Sequence, residues 1–308
     1  MNNLLPWVLV FGPILLVEAL MARHEVLVYG AGRRAPVTTL PKDVPYARGA
    51  SLEDPPGGYL VYLDGIGKRR VRDSREGGRL VEALIAKAPE LRVLGQIQPY
   101  SPLAVPIADR PVWAKLRRRF GPLLIMHNFV QFFVATDRRY RPVYNRALGF
   151  QIATQLQLAG YRPGSGVPVV LFAFSGGSQA ATGVVEALDT QLRCPLLLIT
   201  LGGVHSGGND ISRAEHLYQL SSSSDRIERF FFWFFPKRWR LVRFSTWNRT
   251  EHKVTMLRLD HATHTGPQSY MSPVAEVPDG RTHLDHTTDI VVGLVRTHFG
   301  SRLYPGNT

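Results

Sequence analysis

Acidic side chains are in short supply. The chain has 24 Asp and Glu against 37 Lys and Arg, a formal net charge of +13. Cysteine is almost absent: Cys194 stands alone, which excludes an intrachain disulfide framework and a thiolate metal cage. No repeat or long low-complexity tract is present, and none of the helical or finger motifs that dock on nucleic acid can be found. A full-length apolar span is missing too. Residues 4–20, LLPWVLVFGPILLVEAL, are apolar, but their uncharged stretch stops at Glu18, and no basic residue or small-residue cleavage site gives them the form of a secretory signal. They are expected to be an N-terminal membrane anchor, with a signal peptide or a helix packed on the body as alternatives. Arg23, Arg33 and Arg34 follow the stretch and no cation precedes it, so a span would leave the body on the cytoplasmic side. A secreted protein is the alternative if the stretch is a signal.

The excess of cations sits beside apolar and aromatic runs, as in RRRF (residues 117–120) and KRWR (residues 237–240). That arrangement suits a lipid surface as partner, not a nucleic-acid groove. From residue 25 onward, apolar strand-like runs alternate with helix-like runs. Strands are expected at 25–29, 59–63, 91–97, 167–174, 195–201, 216–220 and 254–259. Helices are expected at 76–87, 141–158, 178–188 and 288–298. Strands apolar on both sides predict an α/β fold, with a mostly parallel central sheet and helices on both faces. Such a sheet carries its site at the carboxyl ends of its strands.

Two motifs carry less than they promise. YGAGRRA, residues 29–35, matches a dinucleotide-binding glycine pattern, but Pro36 and Pro41 deny it the helix whose N-terminus would hold the pyrophosphate. The pairs His261/His264 and His283/His286 have i, i+3 spacing, but the first leads into Gly266-Pro267 and no acidic pattern completes a ligand set. No metal and no cofactor is expected.

Residues 172–183, FAFSGGSQAATG, join a strand to a helix through two glycines and two serines. A phosphate loop would need a lysine, and none is there. The pattern small-x-Ser-x-small instead suits a nucleophile held on a sharp strand-to-helix turn, where strand and helix approach closely. Ser178, flanked by Gly176 and Ala180, is favoured because helix formers follow it. Ser175, flanked by Ala173 and Gly177, also fits but has two glycines where a helix would start. A serine hydroxyl needs a base, and the base an orienting carboxylate. Asp225 follows the strand at 216–220, with Asp210 as second choice. His264 follows the strand at 254–259, with His261, His283 and His286 as competitors. Main-chain N–H groups of Gln179, and of Ile66 in the loop DGIG, are the expected oxyanion donors.

LDGIG, SGGSQA, SSSSDRIE and DHATHTG occur in that order, and from about residue 25 to the end the chain resembles an α/β-hydrolase-superfamily serine hydrolase. The resemblance implies an α/β-hydrolase fold over residues 24–308, following the anchor segment at 1–23. It also implies cofactor-free ester or thioester hydrolysis, or acyl transfer, with nucleophile, acid and base on Ser178, Asp225 and His264. Insertions at about 101–140 and 226–250 contain FGPLLIMHNFVQFFVA and RFFFWFFPKRWRLVRF, an apolar lid or membrane-facing cap. The expected substrate is therefore a lipid or other apolar acyl ester. The rival readings are a membrane-anchored protein that binds an apolar ligand without turning it over, and an acyltransferase on the same fold.

Overall fold

The computed structural model describes residues 56–66, 75–95, 97, 99–100, 121–259 and 261–304, with a few single positions between 12 and 23. The strand expected at 25–29, the glycine pattern at 29–35 and most of the expected anchor lie outside the described residues. No helix among the described residues is long and apolar enough to cross a membrane.

In chain order the elements are β1 (Gly58–Leu63), α1 (Arg75–Lys87), β2 (Leu91–Leu94), α2 (Gly121–Thr136), α3 (Arg141–Leu158), β3 (Val169–Phe174), α4 (Gly177–Gly183), α5 (Val185–Leu192), β4 (Leu196–Leu201), β5 (His216–Ser221), α6 (Arg226–Phe234), α7 (Thr246–Arg249), β6 (Val254–Arg258) and α8 (His283–Phe299). The six strands form one sheet in the order β2-β1-β3-β4-β5-β6. Every pairing is parallel.

Alternate residues of each central strand feed two separate cores. Tyr59, Val61 and Leu63 of β1, with Val169, Leu171 and Ala173 of β3, pack under α3, α4 and α5. Leu60 and Tyr62, with Val170, Phe172 and Phe174, pack on the other face with α1 and α8. Strands buried on both sides have no polar face to show, hence the continuous apolar runs in the sequence. Lys87 at the end of α1 bridges Asp285 and Asp289 of α8 at 3.0 and 2.7 Å, joining the two helices that cover this second core.

Several expected boundaries move. The strand expected at 91–97 stops at Leu94, and α8 starts at His283, where the Thr282 side chain accepts from the Asp285 amide. The helix expected at 178–188 divides into α4 and α5, with Val184 between them. Of the first insertion, residues 121–140 are described, and α2 is the helix among them. The second contains α6, a single 3-10 turn at Pro236–Arg238, and α7.

After β1 the chain adds β2 on one side of it, then returns to lay β3 on the other. The carboxyl ends of β1 and β3 therefore flank a point where the winding reverses, and a crevice forms there. The loop at 64–66 and the bend at 175–177 meet at this place.

Candidate active site

Ser175 follows β3 directly, with φ +52°, a left-handed backbone that a serine adopts only where its surroundings impose it. Its N–H donates to Leu201 O of β4, and its carbonyl accepts from Val204 N–H, both at 3.0 Å. Helix α4 then leaves across the end of β1. A Cβ at Gly177 would collide with the Leu63 carbonyl oxygen and stand 2.8 Å from that of Asp64. Position 177 thus requires glycine because two backbones touch there.

His264 lies on the loop beyond β6. Its Nε2 is 2.7 Å from Ser175 Oγ and its Nδ1 is 2.7 Å from Asp225 Oδ2. Its ring lies 5.0 Å from that of Phe174, tilted by 30°. The bond to Asp225 fixes the tautomer: Nδ1 carries the proton and Nε2 faces the serine as acceptor.

Asp225 does two jobs. Oδ1 accepts from the N–H groups of Ile227 and Glu228, each at 2.9 Å, and so caps α6. Oδ2 accepts from His264 and, at 3.0 Å, from the Tyr270 hydroxyl. Burial pushes the Asp225 pKa up, but the bonds from His264, Glu228 N–H and Tyr270 outweigh it and hold the group below its ordinary value. Burial, with the neighbouring Asp225 charge, raises the Tyr270 phenol, so Tyr270 remains a donor. Gly202, at φ +54°, passes beneath the pair. A Cβ there would stand 2.9 Å from Asp225 Oδ2 and 3.1 Å from His264 Nδ1.

The expected Ser178 is not part of this arrangement. It sits in the first turn of α4, fully buried, and its hydroxyl has no hydrogen-bond partner. The close approach required at Gly177 sets the bend at Ser175 and turns residue 178 inward. The Gln179 N–H is likewise taken, donating to Gly176 O at 3.1 Å. The Gln179 side chain acts as a clamp: Nε2 donates to Ala135 O at 2.9 Å and Oε1 accepts from Ser206 N–H at 2.8 Å. Gly176 N–H, directly after Ser175, donates to nothing among the described residues. Ile66 lies against this position, since a Cβ on Gly176 would stand 2.9 Å from Ile66 Cγ1.

The competing residues are elsewhere. His283 Nδ1 pairs with Ser269 O at 3.0 Å, His286 meets Arg281, and His261 is exposed. Asp210 accepts from Ser212 N–H at 2.8 Å on the surface. Among the described residues, no group of three His, Cys, Asp or Glu could hold a metal ion.

Above the bend, Tyr100, Phe132, Val204, Phe231 and Phe235 form a third apolar cluster, with Ile66 and Phe129 at its edge. The inner face of α6 contributes Phe231. Its outer face leaves Phe230, Trp233 and Phe234 more than half exposed, at 61, 64 and 51%.

No family model and no curated protein matches the chain. Among solved structures it is similar to a carboxylesterase from Mesorhizobium loti, with TM-score 0.43 and 11% identity over 85% of this chain and 99% of that one. It is also similar to an uncharacterized protein from Pseudomonas aeruginosa, with TM-score 0.26 and 11% identity over 56% of this chain and 36% of that one. Strand order and register, not these distant likenesses, carry the conclusion: the chain has an α/β fold with an all-parallel six-stranded sheet, covered by helices on both faces and with the bend after β3 at its reversal point, an arrangement that fits an α/β-hydrolase fold.

Proposed function

We propose that the chain is a serine ester hydrolase that works through an acyl-enzyme on Ser175, with His264 as base and Asp225 orienting it. The observation that supports this is the continuous run of two 2.7 Å contacts from Ser175 Oγ through His264 to Asp225, with the serine held at φ +52°. Ser175 Oγ attacks the ester carbonyl carbon as its proton passes to His264 Nε2. The carbonyl oxygen becomes an oxyanion facing the N–H groups of Gly176 and Ile66. When the tetrahedral intermediate collapses, the C–O bond to the alcohol breaks and the alcohol takes the proton from His264. Water then gives a proton to Nε2 and attacks the acyl-serine. The acid leaves and Ser175 Oγ regains its proton. These steps use no cofactor.

The cluster of aromatic and aliphatic side chains beside Ser175 favours an apolar acyl group. The exposed rings of α6, with the nearly bare Leu241 and Phe244 and the cations Arg240 and Arg243 beside them, favour work at a lipid surface. A fluorophosphonate probe tests the chemistry. The expected result is stoichiometric labelling that vanishes in Ser175→Ala and persists in Ser178→Ala. Absent labelling together with absent turnover of p-nitrophenyl esters would favour an apolar-ligand carrier instead.

A further inference from the structure

On the side of α4 away from His264, α3, α5 and the loop before β5 enclose a groove of about 880 Å³. Arg141, Arg146 and Arg249 line it, with Glu186 and Asp210 also on its walls. Arg141 Nη1 is buried and has no hydrogen-bond partner. A Cβ on Gly208 would collide with that same nitrogen and stand 3.5 Å from Lys237 Nζ, so two cations converge on one backbone position. No described carboxylate relieves them. Asp137 pairs with Arg139 at 2.8 Å, and Asp210 accepts from a main-chain N–H. Burial, and then the charge of Arg138, push the Arg141 pKa down. A half-buried guanidinium with one nitrogen unpaired beside a second cation is well placed to be completed by an anion.

We infer that this groove binds an organic phosphate, the phosphate group sitting at Arg141, with Arg249 lining the same groove and Lys237 close to its Gly208 wall. Cations that approach from three separate elements suit a tetrahedral group with several free oxygens better than a planar carboxylate. The groove also holds a second unpaired atom, the buried Asn145 Oδ1, whose amide is oriented by the 3.2 Å bond from Nδ2 to Asn209 Oδ1. Only a donor can pair with it, and a ligand hydroxyl beside the phosphate would supply one. Phe150, 40% exposed on the same wall, gives an apolar part of the ligand a place to rest. The site communicates with the bend through one loop. Asn209 Nδ2 donates to Gln179 O and Thr182 Oγ1 of α4, at 3.1 and 3.0 Å.

The same chemistry comes from a soluble glycerol phosphate or from a phosphatidylglycerol headgroup. The full chain would be titrated with inorganic phosphate and with glycerol 3-phosphate against sodium chloride of equal ionic strength, by calorimetry and thermal shift. Flotation with phosphatidylglycerol vesicles and phosphatidylcholine controls supplies the lipid arm. The expected result is saturable binding, tighter for glycerol 3-phosphate than for inorganic phosphate and weakened at least ~10-fold in Arg141→Gln. Arg249→Gln, a change at an exposed position, gives the second reading if Arg141→Gln fails to fold. Soluble binding without vesicle dependence on these residues identifies a free phosphate ester. Arginine-dependent flotation without soluble binding identifies a headgroup. Absence of saturable binding by every probe, or binding equal in both variants and wild type, overturns the inference.

Discussion

Ser178→Ala separates the two serines of the bend by sign as well as by size. The Ser178 hydroxyl is fully buried and makes no hydrogen bond. A buried polar group without a partner costs about 1–3 kcal/mol relative to its paired state. Alanine removes that cost and leaves a void of one oxygen atom. The expected outcome is a gain of about 1 kcal/mol in unfolding free energy, or a rise in Tm of about 2 °C for a chain of this size. The rate of fluorophosphonate labelling should stay within about twofold of wild type, since Ser178 does not touch His264. Ser175→Ala should abolish labelling and leave the denaturant midpoint nearly unchanged. Urea denaturation followed by tryptophan fluorescence gives the first quantity, and timed labelling read by intact mass gives the second. A Ser178→Ala variant that loses labelling would refute the assignment of the nucleophile, and one less stable by about 1 kcal/mol or more would refute the reading of the buried hydroxyl.

Other consequences follow from the same contacts. Asp225→Asn keeps the shape but not the charge that orients His264, so ester turnover should fall about 10³–10⁴-fold, with binding of a slowly turned-over ester little changed. Gly202→Ala places a methyl at φ +54° against Asp225 and His264. It should cost about 1–2 kcal/mol of stability and lower the labelling rate more than tenfold. Burial lifts the Glu228 pKa to about 7 despite the 2.7 Å bond from Gln219 Nε2. A carboxyl raised in the folded state favours folding at low pH. That contribution is complete below the unfolded value and fades as pH rises toward about 7. Glu228→Gln should therefore gain on wild type as pH rises, by up to about 3 kcal/mol at pH 8 relative to pH 4.5 in chemical denaturation. Asp225 acts in the opposite sense. Its lowered pKa stabilises the fold above the unfolded value and is lost as pH falls through the folded one.

Most of the sheet was legible because its strands are buried on both faces and read as unbroken apolar runs. The meeting of Asp225 and His264 was legible for a related reason. Each lies a few residues beyond a strand whose end the hydropathy marks, and the order Ser, Asp, His narrowed the choice. The serine that meets His264 was misplaced by two competing physical effects. Helix propensity disfavours a start at Gly176-Gly177, and that argument selected Ser178. The close approach of α4 to Leu63 and Asp64 requires a glycine at 177 and outweighs the propensity. The contrary signal was present: the apolar strand ends at Phe174, so Ser175 is the first residue able to turn. The pairing of the Gln179 N–H with Gly176 O follows from the same shift of three positions. Non-local features, such as Tyr270 on Asp225 or Arg141 beside Lys237, join residues far apart in sequence and left no local trace.

Asp225 fastens the N-terminus of α6 with one carboxylate oxygen and holds His264 with the other. The helix that displays the aromatic rings outward is therefore pinned at its root to the carboxylate that orients His264. A bending force on Trp233 or Phe234 has a lever arm of roughly two helical turns, and its pivot is a carboxylate that also holds His264. Whatever this surface meets, the encounter is mechanically in series with the contacts from Asp225 through His264 to Ser175, and an exchange of rings on the outside is also an adjustment of aim on the inside.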